Sequence, residues 1–133
     1  MAQLGGLVSE LEPNIEVIAD IASWEVEGKL ALVLMYRYHD SDGSYSEWLG
    51  GAMASLAEVG GKVVWAATGG WPVVGSTERR WDVISIVEYP SREAFLGQIQ
   101  SGAFAALEQF RMTAMVSNEI YACFPVVDAL DHD

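Results

Sequence analysis

The sequence predicts a single α+β domain whose strands and main helices follow the order β-α-β-β-α-β, with one extra helix in front. Three observations carry this. Apolar residues recur at strand-like and then helix-like periods, turn residues separate the segments, and a chain of 133 residues has no repeat or linker to divide it.

The leading helix comes first. Pro13 precedes residues 14–23, where Ile15, Ile18, Ala19 and Ala22 keep a helical spacing. The first strand, residues 30–38, is apolar on both stripes: Leu30, Leu32, Leu34, Tyr36 and Tyr38 on one, Ala31, Val33, Met35 and Arg37 on the other. A strand of this kind is central and covered on both faces. After the turn cluster at Asp40 to Ser44, Ser44 and Glu47 have capping-box spacing for a second helix, with Tyr45, Trp48, Leu49, Ala52, Leu56 and Val59 on one side. Gly50 and Gly51 weaken that helix by about 1 kcal/mol each, so packing must hold it, and the glycines suggest close approach to the sheet. Gly60 and Gly61 end it.

Residues 62–68 form the second strand, and a long turn leads to the third, residues 81–89. There Trp81, Val83, Ser85 and Val87 alternate with Asp82, Ile84, Ile86 and Glu88. Ser91 is the expected N-cap of the next helix, with Glu93 favourable in its first turn. Ser101-Gly102 breaks that helix, and a second stretch carries Phe104, Leu107, Phe110 and Ala114. Residues 118–124 form the last strand. Residues 1–27 thus read as an extension with a short helix, 28–124 as the domain and 125–133 as a loose acidic tail.

This order suggests the split, ferredoxin-like sheet with both main helices on one face. The other face then becomes the difficulty, because an apolar patch above roughly 300–600 Å² is uncommon on a monomer. Pairing two sheets face to face removes it, so a homodimer is the expectation.

Composition supports a covered surface. Half of the residues, 51%, are hydrophobic, with a mean hydropathy of +0.20. The longest apolar run, residues 30–36, is too short to span a bilayer, and the start lacks the basic stretch of a secretory signal. Cytoplasmic residence is the expectation. Seven Lys and Arg against nineteen Asp and Glu give a net charge of −12, which repels nucleic acid. The one cysteine rules out an intramolecular disulfide and a Cys-based zinc site; in the apolar run 120–124, Cys123 reads as a buried core thiol.

In their order and spacing, several segments resemble the uncharacterised family called domain of unknown function 1330, within the dimeric α+β barrel superfamily. They are Val33-Leu34-Met35-Tyr36-Arg37-Tyr38, Val59-Gly60-Gly61-Lys62-Val63-Val64-Trp65, Trp81-Asp82 through Val87-Glu88-Tyr89-Pro90-Ser91, and Ser101-Gly102-Ala103-Phe104 with Arg111. The resemblance spans about residues 28–124 and departs at Leu34, where the family often has asparagine. It implies a dimer, in a superfamily of cofactor-free monooxygenases, lactone isomerases, haem-degrading enzymes and members without known activity. Fold alone therefore carries little functional information.

No established catalytic motif is present. His39 could act as a general base, but it directly precedes a polar turn, which favours a solvated loop histidine. Arg37 on an apolar stripe needs an acid, for which Glu88, Asp82 and Glu119 are candidates, or else an anionic ligand. Arg111 follows Glu108 by three residues, an ordinary helical ion pair. Ser85 marks either a cavity wall or a relief of crowding. Trp65, Trp81, Tyr36 and Tyr38 are core residues, unless some face the interior and suit a flat aromatic ligand. The expected ligand site is Arg37, Trp65, Trp81 and Ser85 between sheet and partner, holding a small apolar or aromatic anion, with no metal and no haem or other cofactor. The two open function classes are a cofactor-free monooxygenase- or isomerase-like enzyme, with His39 and Arg37 as its catalytic candidates, and a non-catalytic dimeric binding or regulatory module.

Overall fold

The computed structural model describes residues 11–126. The tail reading, with Asp128, Asp131, His132 and Asp133, lies outside the described residues, as do residues 1–10. The described chain runs α1 (Ile15–Ser23), β1 (Leu30–Tyr38), α2 (Ser44–Glu58), β2 (Lys62–Gly70), β3 (Trp81–Tyr89), α3 (Arg92–Ile99), α4 (Gly102–Ala114) and β4 (Met115–Cys123). The strands form one sheet in the order β2-β3-β1-β4, and every neighbouring pair is antiparallel. This is the expected ferredoxin-like α+β fold.

Each helix begins and ends for a local reason. Asn14 caps α1 by accepting from Val17 N at 3.2 Å, and Ser91 and Ser101 cap α3 and α4 in the same way through Ala94 N and Phe104 N. The capping box at Ser44 and Glu47 does not form. Gly43, left-handed at φ 81°, occupies the N-cap without a side chain to offer. Two aspartates upstream take over: Asp42 accepts from Ser44 N at 3.0 Å, and Asp40 from Ser46 N and its hydroxyl. At the far end of α2, Gly61 N donates to Leu56 O and Gly60 N to Ala57 O, with Gly60 at φ 80°. That double bond is the Schellman closure, which favours glycine in the left-handed position.

Residues on the even stripe of β1 face the helices. Leu30 and Leu32 pack with Ile21, Leu56, Tyr89 and Phe95 in one cluster; Tyr36 packs with Trp48 and Met115 in a second; Leu34 touches both. A buried polar chain crosses the first cluster, as Tyr89 donates to Gln98 at 2.6 Å and Gln98 to Ser55 at 3.0 Å. The close approach expected at the α2 glycines is to a helix, not to the sheet. A Cβ on Gly51 would lie 2.2 Å from Leu107 Cδ2 of α4, whereas Gly50 faces open space. Among the described residues, no helix is long and apolar enough to cross a membrane.

Candidate functional site

Neither core cluster draws on the odd stripe of β1. Register places Val33 beside Ile86 and Tyr121, and Met35 beside Ile84 and Glu119. On β2 a bulge at Val64 lets Trp65 pair with Ile86, which brings the indole to this same face. The face is therefore largely apolar and open around Trp65 and Tyr121, which are 50% and 53% exposed, with Glu119 beside Met35, while its Ala31–Glu88 end is buried.

Arg37 lies at one end of it. Its Nε donates to Ser117 Oγ at 3.1 Å, across a register shift that follows in β4. Among the described residues no carboxylate reaches ion-pair distance of its guanidinium, and each acid proposed to neutralise it is engaged elsewhere. Asp82 accepts from Tyr38 N at 3.1 Å, and Glu119 from the Tyr121 hydroxyl at 2.7 Å. Glu88, at the opposite end of the face, has Lys29 and Lys62 at 3.7 and 3.9 Å; it is 4% exposed, and its Oε2 has no hydrogen-bond partner among the described residues. The structural neutralisation of Arg37 is thus corrected: the sheet gives it a hydroxyl, not a charge.

Ser85 and Trp81 do not join Arg37 and Trp65. Ser85 pairs with Leu34, which belongs to the helix-side core, and alternation carries Trp81, opposite Gly70, to the same side. An antiparallel pairing that matches odd with even positions sends the two odd stripes to opposite faces, and neither strand alone reveals this. Tyr36 and Tyr38 are also on the helix side. The Tyr36 and Tyr45 hydroxyls share a hydrogen bond of 2.9 Å, and the Tyr38 and Tyr45 rings stack at 3.7 Å. Burial pushes the Tyr36 phenol far above its ordinary range, so this group stays neutral.

His39 is exposed at the end of β1 and away from the face. Its Nε2–H donates to Thr113 O at 3.0 Å, Nδ1 accepts from Ser41 Oγ at 3.2 Å, and its backbone N–H donates to Ala114 O. Nε2 and the backbone N–H therefore tie the end of β1 to the end of α4, while Nδ1 bonds within the turn that follows β1. Arg111 is the expected ion pair with Glu108, at 2.7 Å, and it also donates to Asn118 Oδ1 and Leu11 O. Cys123 is exposed on the β4 edge strand, opposite Ala31, instead of buried: the apolar run around it alternates across the sheet.

Sequence reasoning missed the pairing of Tyr121 with Glu119 on the open face; their two-residue spacing on one strand was the available signal. It also missed an open cleft of about 370 Å³ bounded by Val26, Gly28, Lys29, Phe124 and Pro125. No group of three or more His, Cys, Asp or Glu among the described residues could hold a metal ion.

No protein-family model matches the chain. No curated protein matches it either. Solved structures do. A protein of unknown function from Rhodopseudomonas palustris, RPA0582, superposes with a TM-score of 0.80 at 23% identity, covering 89% of this chain and 98% of its own. A dabb family protein with a ferredoxin-like fold from Mesorhizobium loti gives 0.55 at 12% identity, over 75% of this chain and 99% of its own. The Arabidopsis thaliana protein At3g17210 gives 0.53 at 15%, over 74% of this chain and 96% of its own. At these identities the likeness establishes the ferredoxin-like fold alone.

Proposed function

We propose that this chain is a cytoplasmic homodimer of the dimeric α+β barrel kind, related to domain of unknown function 1330. In it two open sheet faces enclose a site for a small, flat, anionic ligand. The observation that carries the reading is Arg37, a guanidinium on a largely apolar face whose hydrogen-bond partner among the described residues is a serine. Desolvating such a group without a counter-charge is costly, and a ligand carboxylate or enolate supplies one through a bidentate contact. Trp65 offers an aromatic wall on the same face, suited to a planar apolar body.

A binding or regulatory module is favoured over an enzyme, because His39 is held by two hydrogen bonds away from the face. The cofactor-free enzyme reading would instead draw on the Glu119–Tyr121 pair, the titratable groups bonded to each other on the face. In the test, light scattering coupled to size exclusion should give twice 14.5 kDa across micromolar dilution. Native mass spectrometry of the dimer should show a carried small anion. Arg37→Met should remain dimeric and lose the anion, with affinity at least about tenfold weaker, as expected for a lost charged hydrogen bond. A compact monomer ends the dimer reading, and undiminished binding by Arg37→Met ends the site assignment.

A further inference from the structure

We propose that the loop joining β2 to β3, residues 71–80, is an arm that grips a second copy of this chain and completes an interface the sheet face alone is too small to make. The inference rests on the face-to-face dimer above and names the segment that secures it.

Trp71, Val73 and Val74 are 68%, 99% and 92% exposed. Hairpin loops ordinarily carry polar and turn-forming residues, and large apolar groups concentrated at an exposed tip mark an interaction surface. The two legs of the loop are held in shape. The Trp71 ring lies against Gly69, where a Cβ would fall 2.3 Å from Cζ3, and Pro72 fixes its own φ. On the return leg, Arg79 N donates to Ser76 O at 3.1 Å and Glu78 N to Ser76 Oγ at 3.2 Å. An arm already ordered has little conformational entropy to lose on docking.

Three observations select a second copy as the occupant. The first is continuity. Residues 71–80 join the ends of β2 and β3, whose Ala67, Ile84 and Ile86 line the open face, so the loop continues directly from the edge of that face. The second is area. Strands of nine residues, at about 3.4 Å per residue and four strands about 4.8 Å apart, make a face of about 30 by 19 Å, on the order of 600 Å². Obligate homodimers bury roughly 1,000 Å² or more on each partner, and twisted sheets never overlap completely. Trp71 alone adds on the order of 150 Å², and the two valines extend the apolar contact beyond the sheet edge. The third is charge. Residues 69–77 carry no ionisable side chain in a protein of net charge −12, so two identical chains can meet here without bringing acidic side chains together.

The test compares three proteins by sedimentation: the parent, the triple variant Trp71→Ser, Val73→Ser, Val74→Ser, and Met35→Asp, which places a charge at the centre of the face. The triple variant should fold like the parent and dimerise at least tenfold more weakly, and Met35→Asp should be monomeric. A triple variant that dimerises with the parent's affinity, while Met35→Asp does not, overturns the arm and leaves the dimer standing. A parent that is monomeric at every concentration overturns both. Amide hydrogen exchange on unmodified protein gives an independent reading. Residues 73–75 should be protected in concentrated parent protein and unprotected in Met35→Asp; equal exchange in the two overturns the arm.

Discussion

Arg37 and Arg111 show how little a residue type says before its partners are known. Arg111, buried on α4, gives its donors to Glu108, Asn118 and the Leu11 carbonyl, and the Glu108 spacing made the first of these contacts legible from sequence. Among the described residues Arg37 has one serine, and no spacing rule could show that Asp82, Glu88 and Glu119 are all occupied elsewhere. Tyr89 carries the residue-scale prediction. Burial raises its phenol to about 12, although the bond to Gln98 opposes the shift. Because the folded value lies above the unfolded one near 10, the folded protein holds a proton that the unfolded chain releases between those two values. Stability from this group is therefore complete below pH 10 and lost as pH rises toward 12, by on the order of 2–3 kcal/mol. Chemical denaturation at pH 8, 10, 11 and 12 should show that decline, and Tyr89→Phe should make it shallower while costing about 1 kcal/mol at pH 8 for the lost hydrogen bond. An identical alkaline decline in the variant would mean that Tyr89 titrates normally.

At the scale of elements, α2 contains two adjacent glycines that look alike in sequence and differ in the fold. Gly50 faces open space and Gly51 faces Leu107 of α4. Gly50→Ala should gain up to about 1 kcal/mol from helix propensity and raise the melting temperature by a few degrees. Gly51→Ala gains the same propensity but must displace Leu107, and overpacking of about 1–3 kcal/mol turns the balance to a loss. Thermal melts of the two variants should shift in opposite directions; equal rises would mean that the helices do not meet at Gly51. The same contrast explains what sequence could tell. Strands β1 and β3 were legible to their ends, because β-branched and aromatic runs stop at turn residues. Strand β4 begins at Met115, three residues before the expected 118, since Met115 and Val116 continue the apolar pattern of α4 without a break. Facing was less legible than position: Ser85 and Arg37 both occupy odd positions, yet register places them on opposite sides. Periodicity fixes which residues share a stripe within one strand, whereas the relation between strands depends on pairing that no single segment encodes.

For the whole molecule, the proposed dimer must form between two chains that each carry a net charge of −12. The association is then a competition between apolar burial, which salt hardly changes at moderate concentration, and long-range repulsion, which salt screens. The open face carries Val33, Met35, Ile84 and Ile86 at its centre, with Glu119 beside Met35 and Arg37 and Glu88 towards its two ends. Apolar burial at Val33, Met35, Ile84 and Ile86 is therefore the proposed main attraction. Raising sodium chloride from about 0.01 to 0.1 M shortens the screening length from about 30 to about 10 Å, which removes most of the repulsion between the two acidic bodies and leaves the contact itself intact. The dimer dissociation constant should fall at least about threefold over that range, and it should fall less in a variant with several surface acids neutralised. Sedimentation velocity at matched protein concentrations measures this directly. A dissociation constant that rises with salt would mean that opposite charges hold the two copies together, and the apolar sheet face would then not be the surface through which they meet.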